Sequence, residues 1–286
     1  AAHLKGVAWT AGDAMDASSV QRAAEGARLI VHGANPPAYR NWKGLSLPML
    51  ESSIGAAAAN GARLLLPGTV YNYGPDAGDT VAEGAPQNPL TRKGAIRMAM
   101  ERRMEDSGVK TLIVRAGDFF GPGAGNNWFA QGLVRPGSTP RAVTYPGPHM
   151  VGHAWAYLPD LAAAVAALAA REGELDRFER FHFGGHWLVE GVEMARAIGR
   201  AVGRPDLPIR ALPWWALRFA APFNETLREM MEMRYLWRRP LRLDNAKLTA
   251  FLGREPHTAL DAAVTATLAA LGCLPARSGA GEPALA

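Results

Sequence analysis

The chain has 286 residues, of which 48% are hydrophobic, with a formal net charge of +5 and a single cysteine, Cys273. This length and composition allow a sizeable core in one large or two intimate domains, and one cysteine excludes an intrachain disulfide. The basic residues are nearly all arginines scattered along the chain, and the most apolar run, at 161–170, is too short to span a bilayer, so we expect neither nucleic acid nor a membrane as a partner.

Short apolar runs alternate with helical patterns through the first two-thirds of the chain, which is typical of a parallel α/β sheet. The apolar runs predict strands at 6–13, 28–37, 63–75 and 109–123. The patterns between them predict helices at 17–27 and 42–62. A further helix is expected to run to about Ser107, with Asn88 as its N-cap and Pro89 at its first position.

The pattern changes after residue 123. Residues 124–149 are rich in Gly, Pro and Asn without a clear period, and a strand is predicted later, at 180–185. The remaining periodic segments predict helices at 158–171, 190–202, 214–235, 244–252 and 258–271. The tail at 275–286 holds few bulky apolar residues, which predicts disorder.

Five segments are arranged in the order found in one known family. They are TAGD at 10–13, VHGANPP at 31–37, PGTVYNYG at 67–74, IVRAGDFFGPG at 113–123 and HAWAYLPDLAAAVAALA at 153–169. Together they resemble the extended short-chain dehydrogenase/reductase family, the NAD-dependent epimerase/dehydratases. The resemblance covers nearly the whole chain and implies an α/β fold, a Rossmann-type parallel sheet with a smaller, mostly helical C-terminal substrate domain.

The resemblance also implies how the chain divides into domains. The NAD(P)-binding domain is expected at 1–125 and is completed by 150–185. The substrate-binding helical domain is expected at 126–149 and 186–274, ahead of the disordered tail.

The sequence departs from the family pattern in two places. No G-x-G-x-x-G occurs, and the chain begins at what corresponds to the third strand of the family, so we expect an N-terminally truncated sheet whose first strand, phosphate-binding loop and helix precede Ala1. The second departure lies in the Tyr-x-x-x-Lys motif, where Lys93 is present but Pro89 stands in place of the tyrosine.

The resemblance implies NAD or NADP as the cofactor. Its expected ligands are Gly12, Asp13, His32, Gly33, Ala34, Asn35 and Lys93. Asp13 would accept a hydrogen bond from the adenine amino group, or would instead cap the helix that follows. Lys93 would donate a hydrogen bond to the nicotinamide ribose, or would be a solvated helix residue. The scarcity of lysine in this chain favours the interpretation of Lys93 as a cofactor ligand.

The catalytic candidates are Thr69, Tyr71, Lys93 and Asp118. Thr69 would orient the substrate oxygen, or would simply end a strand. Tyr71 would replace the missing phenol, although the favoured interpretation is that Tyr71 is a half-buried aromatic residue of the loop. An extended backbone would place the side chains of Thr69, Tyr71 and Tyr73 on one face. Tyr73 is expected to be a packing residue. Asp118 follows a strand, where it would act as an acid/base or as a substrate acceptor, or would cap a loop. Arg115, inside that strand, is expected to be a structural ion-pair partner.

The substrate ligands that the resemblance implies are Asn126, Asn127, Trp128 and His153, with exposed loop positions or packing as the alternatives. Histidines also occur four residues apart at 149 and 153 and at 182 and 186, but Gly and Pro make both stretches poor helices and no Cys or acidic cluster joins them. We therefore expect no metal. Aromatic and methionine residues at helical spacing in 213–237 predict a domain core, with a hydrophobic lid as the alternative.

The expected function is that of an NAD(P)-dependent oxidoreductase, epimerase or dehydratase acting on a sugar-nucleotide-like or other small carbonyl or hydroxyl substrate. The alternative is a non-catalytic NAD(P)-binding redox sensor or regulatory protein. The single cysteine and the lack of a visible signal peptide favour a cytoplasmic location, and a homodimer is an open alternative to a monomer.

Overall fold

A four-stranded parallel sheet forms the centre of the first two-thirds of the chain. The structure, a computed structural model, describes residues 6–36, 41–125 and 127–274. Its strands are β1 Leu29–Val31, β2 Arg63–Thr69, β3 Thr80–Val81, β4 Thr111–Ala116, β5 Asp118–Phe120, β6 Val143–Tyr145, β7 His153–Tyr157, β8 Phe178–His182, β9 His186–Leu188, β10 Ile209–Ala211 and β11 Arg242–Leu243. Its helices are α1 Ala17–Ala23, α2 Trp42–Asn60, α3 Arg92–Asp106, α4 Leu158–Ala170, α5 Glu193–Ala201, α6 Trp214–Ala220, α7 Glu225–Glu232, α8 Ala246–Leu252 and α9 Leu260–Ala270.

The strands of the central sheet lie in the order β1-β2-β4-β8, and each neighbouring pair is parallel. A second sheet, β5-β7-β9, continues from the end of β4, with β5 parallel and β9 antiparallel to β7. Two short pairs, β6 with β10 and β3 with β11, complete the strand pairing of the described residues. The predicted α/β class with a parallel sheet is confirmed.

Both faces of the central sheet are covered by helices, because successive side chains of a strand point to opposite faces. Leu64 and Leu66 of β2 pack with Leu50 of α2 and Met100 of α3 on one face. On the other face, Leu65 lies in a cluster with residues of β4, α4 and β8, among them Val114, Leu161, Leu168 and Phe181. The continuous apolar runs of β2 and β4 are therefore the sequence signature of strands buried on both sides.

The predicted strand at 6–13 is wrong. These residues form an irregular segment that is largely exposed to solvent. A strand requires a neighbour that satisfies its backbone N–H and C=O groups. Within the described residues no strand lies beside 6–13, and β1 pairs on one side with β2.

The predicted start of α3 at Asn88 and Pro89 is also wrong. The helix begins at Arg92, and Thr91 is its N-cap, with a hydroxyl that accepts from the Gly94 N–H at 3.0 Å. The Asn88 side chain instead donates to the carboxylate of Asp76 at 2.9 Å. Lys93 therefore occupies the second position of the helix.

The last third of the chain surrounds a separate cluster of buried apolar residues. This cluster joins the short π-helix Phe129–Leu133, β7, α5 and α9, and its members include Phe129, Trp155, Ile198, Trp237, Val264 and Leu268. The predicted helix at 214–235 is divided into α6 and α7, with Pro222 between them. The division into two domains remains a prediction.

The described residues hold neither a membrane-spanning helix nor a cluster of metal ligands. In the part of the chain that the structure describes, no helix is both long enough and apolar enough to cross a membrane. Across residues 6–36, 41–125 and 127–274, no group of three or more His, Cys, Asp and Glu side chains is placed to hold a metal ion.

Candidate active site

A cleft of about 390 Å³ opens at the carboxyl ends of β1, β2 and β4. This is the end of a parallel sheet at which α/β folds bind ligands, and the volume lies within the ordinary range for ligand pockets, roughly 300–1,000 Å³. Many of the predicted site residues line the cleft, namely Asn35, Thr69, Tyr71, Lys93, Asp118, Asn127 and Trp128.

Other predicted ligands lie outside the described lining of this cleft: Gly12, Asp13, His32, Gly33 and Ala34. Asp13 is exposed, and its carboxylate accepts from the Met15 N–H at 2.9 Å, whereas the N-cap of α1 is Asp16. His32 is buried, with its Nδ1 2.9 Å from the Ser53 hydroxyl. Asn126 lies outside the described residues.

One wall of the cleft carries two cationic side chains of α3. Lys93 and Arg97 are four residues apart and therefore share a helix face. Both are buried, and both lie over the indole ring of Trp42, with the Lys93 Nζ 5.5 Å and the Arg97 guanidinium 5.1 Å from its centroid. Arg97 also donates to the Asn35 side-chain oxygen at 3.1 Å, which links α3 to the loop after β1. Sequence reasoning missed Arg97 and Trp42, although the four-residue spacing from Lys93 was a usable signal for Arg97.

Thr69 and Tyr71 lie where β2 ends. The chain turns here into a 3₁₀-helix over Val70–Asn72, and the Thr69 hydroxyl accepts from the Tyr71 N–H at 3.3 Å. The prediction that Thr69, Tyr71 and Tyr73 share one extended face is therefore wrong. Thr69 and Tyr71 line the cleft, whereas Tyr73 is fully buried below it, as a packing residue is expected to be.

Asp118 and His153 form a buried pair beside the cleft. Asp118 Oδ2 lies 2.8 Å from His153 Nε2, and the side chains are 9% and 6% exposed. The His153 ring stacks on Trp237, with 3.9 Å between centroids and 9° between planes. Asp118 lines the cleft, and His153 lies behind it in a smaller space. Sequence reasoning did not predict this pairing, because 35 residues separate the two side chains.

The pairing depends on the close approach of β5 to β7. Asp118 is paired with Trp155 in the parallel register of these strands, and Gly117 precedes it at the turn out of β4. A Cβ at Gly117 would lie 2.3 Å from the backbone oxygen of Ala154, which is too close for any side chain. Gly94 is similar: a Cβ there would lie 2.2 Å from the backbone oxygen of Tyr71. The two glycines let backbone segments meet at both sides of the cleft.

A buried polar network supports the floor of the cleft. Arg115 of β4 is fully buried and makes a two-pronged ion pair with Glu101 of α3, at 3.0 Å and 2.5 Å. Asn72 donates to Glu101 at 2.9 Å, and Arg115 donates to the Tyr73 hydroxyl at 2.5 Å. The prediction that Arg115 is an ion-pair partner is confirmed. The network ties α3 and β4 to the 3₁₀-helix that carries Tyr71.

The same network holds His182 as a neutral ring. Its Nε2 lies 2.9 Å from the Tyr73 hydroxyl and its Nδ1 lies 3.1 Å from the Val81 carbonyl oxygen. The contacts assign Nδ1 as the donor and Nε2 as the acceptor of the Tyr73 proton. Burial lowers the pKa of His182 from 6.5 to about 3.

We expect the protein to lose stability when the pH falls below about 6.5. Burial lowers the pKa of His32 and His186 to about 4, in addition to that of His182. Unfolding releases these rings to ordinary pKa values, so the unfolded state binds more protons below pH 6.5 and each ring contributes a loss of up to about 1.4 kcal/mol per pH unit. The urea midpoint measured between pH 7.5 and pH 5 should fall.

The matched variant is His32→Gln, which removes one titrating ring and can keep a polar contact to Ser53. Its midpoint should fall less steeply with pH than that of the parent protein. A midpoint that stays constant from pH 7.5 to pH 5 would contradict the burial of neutral histidines.

A second wall of the cleft, formed by Trp128 together with residues 230 and 233, is aromatic and aliphatic. Trp128, Met230 and Met233 line it, and the Trp128 ring lies 5.2 Å from Trp237 and 6.1 Å from Trp214 between centroids. The segment 213–237 contributes Trp214 and Trp237 to the buried core, as predicted, and Met230 and Met233 to the lining of the cleft; the alternative of a hydrophobic lid stays a prediction.

Two further contacts fix this wall in place. Glu232 of α7 pairs with Arg92 at 2.7 Å and also accepts from the Arg92 N–H at 3.2 Å, at the start of α3. Asn127 uses its amide within its own turn, donating to the Gly125 oxygen and accepting from the Ala130 N–H, both at 2.8 Å. Asn127 therefore acts mainly as a loop-forming residue.

Solved structures with the same architecture were found by comparison. One is dTDP-glucose 4,6-dehydratase from Streptomyces venezuelae with NAD bound, at 19% identity and TM-score 0.66, covering 91% of this chain and 77% of that one. Another is UDP-glucuronic acid 4-epimerase from Bacillus cereus in complex with NAD, at 12% identity and TM-score 0.67, covering 91% and 79%. A third, RMD from Pseudomonas aeruginosa complexed with NADPH, has 16% identity and TM-score 0.67, covering 92% and 88%.

The chain has the same α/β fold as these solved structures. No family model matches the sequence, and no curated protein matches it either. The resemblance seen in the five sequence segments is thus confirmed at the level of the fold. The cleft lies at the carboxyl end of the sheet, and the roles of its individual residues remain predictions.

Proposed function

We propose that the protein is an NAD(P)-dependent oxidoreductase of the epimerase/dehydratase type that acts on a small carbonyl or hydroxyl compound. The observation that carries this proposal is the placement of Thr69, Lys93 and Asp118 in one cleft at the carboxyl ends of parallel strands. A hydroxyl donor, a cation and a carboxylate are the groups that redox chemistry at a carbonyl requires. The NAD or NADPH present in the structurally similar enzymes supports the choice of cofactor.

The residues present fit the nicotinamide-ribose end of such a cofactor. Lys93 offers an ammonium group to ribose hydroxyls, and the Asn35 and Thr69 side chains add polar atoms to the same cleft. Val70 adds apolar surface to the same part of the cleft. When bound, a nicotinamide would supply hydride-transfer chemistry at the substrate carbon.

The proton at the substrate oxygen must come from the chain or from water. The tyrosine that the family uses is replaced by Pro89, which lies before the start of α3 and has no side-chain group that can give or accept a proton. Asp118 lines the cleft and is hydrogen-bonded to His153 Nε2. An imidazolium at His153 would pass its Nε2 proton to Asp118 as Asp118 gives a proton to the substrate oxygen, and the ring would be left as a neutral imidazole. We assign Asp118 as the acid/base, His153 as its positioning partner and Thr69 as the donor that orients the substrate oxygen.

Titration of the intact protein with NADH and NADPH, followed by nicotinamide fluorescence, tests the proposal. Lys93→Ala should raise the dissociation constant of the preferred cofactor by about tenfold or more, equivalent to roughly 1.4 kcal/mol of binding free energy. The matched control is Lys110→Ala, which removes an exposed lysine far from the cleft lining and should leave binding unchanged. Equal cofactor binding by the parent protein and Lys93→Ala would contradict the proposal.

A non-catalytic NAD(P)-binding regulator is the second candidate. Pro89, at the position of the catalytic tyrosine, is the observation that favours it. Protein that binds NADH with Lys93-dependent affinity but never oxidises it across a broad panel of carbonyl compounds would support this candidate. Turnover that is lost in Thr69→Ala and Asp118→Asn would exclude it.

A further inference from the structure

The charges around the cleft are unevenly distributed. In the described lining, the cationic side chains are Lys93 and Arg97, both on α3 and both over Trp42. Arg97 is already bonded to Asn35, and Lys93 is the residue assigned to the cofactor ribose. On the α7 side of the cleft, Arg92 is paired with Glu232. Arg234 lies behind this wall, outside the described lining, with its guanidinium 5.4 Å from the centroid of the Trp214 ring. Both cations of the described lining, Lys93 and Arg97, therefore lie on the α3 side of the cleft, and neither lies on the opposite side, which would face a substrate.

The wall built from the π-helix and α7 suits an apolar molecule. Trp128 presents a large flat surface and is supported from behind by Trp214 and Trp237, so its orientation is fixed by packing. Met230 and Met233 add flexible thioether side chains that adapt to the shape of an apolar ligand.

The anionic group of the lining is Asp118. A nucleoside diphosphate sugar would bring two phosphate charges into a cleft whose substrate side holds this carboxylate and no cation among the described lining residues. Bringing phosphates out of water without cationic partners is strongly unfavourable. Moving an uncharged ring system from water into the same space costs little desolvation free energy, and burying its apolar surface is favourable.

We infer that the substrate of this site is an uncharged, flat carbonyl compound, such as an aryl or alicyclic ketone, or the corresponding alcohol. It is distinct from the nucleotide sugars named for the structurally similar dehydratase and epimerase. The inference rests on the proposed function, because it places the cofactor against Lys93 and leaves the Trp128 wall for the substrate.

The experiment compares binding of 1-tetralone, an uncharged bicyclic aryl ketone, with binding of UDP-glucose to the intact protein by calorimetry, with and without NADH or NADPH. Tetralone should bind at least about tenfold more tightly than UDP-glucose. Trp128→Ala should weaken tetralone binding by about tenfold or more, because removing an aromatic side chain on which a ligand ring stacks costs about that much affinity. Trp215→Ala is the matched control, because Trp215 is 72% exposed and lies outside the described lining, and it should change nothing.

Met230→Lys provides a second variant that does not open the core. Met230 is half-buried at the surface of α7, and a lysine there adds a cation to the described lining on this side of the cleft. We expect weaker tetralone binding and tighter UDP-glucose binding, a reversal that mere loss of folding does not produce. Tighter binding of UDP-glucose than of tetralone by the parent protein, insensitive to Met230→Lys, would overturn the inference.

The two proposals fail in different ways. NADH binding that depends on Lys93, together with a preference for UDP-glucose, overturns the substrate class and leaves the proposed function standing. Lack of any binding of NADH and NADPH overturns the proposed function. Tetralone binding that depends on Trp128 would in that case still support an apolar ligand for the wall.

Discussion

Asp118→Asn is expected to lower kcat/KM by about 10²–10⁴-fold, the usual contribution of a positioned general acid/base. Asparagine keeps the shape of the side chain and a contact to His153, but it cannot give up or accept the proton at the substrate oxygen. Cofactor binding should be unchanged, because Lys93 and Asn35 are untouched. Steady-state kinetics with the best substrate of a ketone panel, together with NADH titration, measure the two effects separately.

The control for this variant is Asp79→Asn, which neutralises an exposed aspartate on the loop before β3. It should retain the parent kcat/KM. A parent-like rate in Asp118→Asn would assign the proton to Tyr71 or to water, and a large loss in Tyr71→Phe would then identify the phenol. His153→Gln should shift the pH dependence of kcat/KM more than its maximum, as expected of a residue that acts through Asp118.

Glu101→Leu is expected to destabilise the protein by about 3–5 kcal/mol, because it leaves the fully buried guanidinium of Arg115 without a counter-charge. Asn72 also loses one of its two acceptors in this variant and keeps the other, Gln87. Urea unfolding followed by circular dichroism measures the loss. Adding Arg115→Met to Glu101→Leu should recover much of it, since an apolar pair of similar volume has no unpaired charge to bury.

An exposed ion pair of the same length is the matched comparison. Arg103 and Glu51 also meet at 2.5 Å, but both side chains are 43% exposed. Glu51→Leu should leave the urea midpoint nearly unchanged, because solvent screens an exposed pair. Equal losses of unfolding free energy in Glu101→Leu and Glu51→Leu would show that burial does not determine how much the Arg115–Glu101 pair stabilises the protein.

The sequence predicted the elements whose signal is local. The runs LLL at 64–66 and LIV at 112–114 identified β2 and β4 because a strand buried on both faces needs only apolar residues. The start of α3 was missed because Asn88 and Thr91 are both good N-caps, and the choice depends on Asp76, to which Asn88 donates. Strands of two or three residues, such as β3, β6 and β10, have no period long enough to recognise.

The candidate site was predicted in part. Motif order identified Thr69, Lys93 and Asp118, which the structure brings to one cleft. It could not identify His153 as the partner of Asp118, since that contact depends on the register of β5 against β7. Glu101 carried a usable signal, because it lies eight residues after Lys93 and so on the same face of α3.

The glycines at 94 and 117 limit how this site can change in evolution. At both positions the atom in the way of a side chain is a backbone oxygen, that of Tyr71 or of Ala154. No substitution at 71 or 154 removes a backbone atom, so no second mutation of the opposing residue can compensate for an added Cβ. Descendants that keep the Lys93 and Asp118 geometry must therefore keep both glycines, and a lineage that loses either one has to rebuild the cleft by moving whole backbone segments.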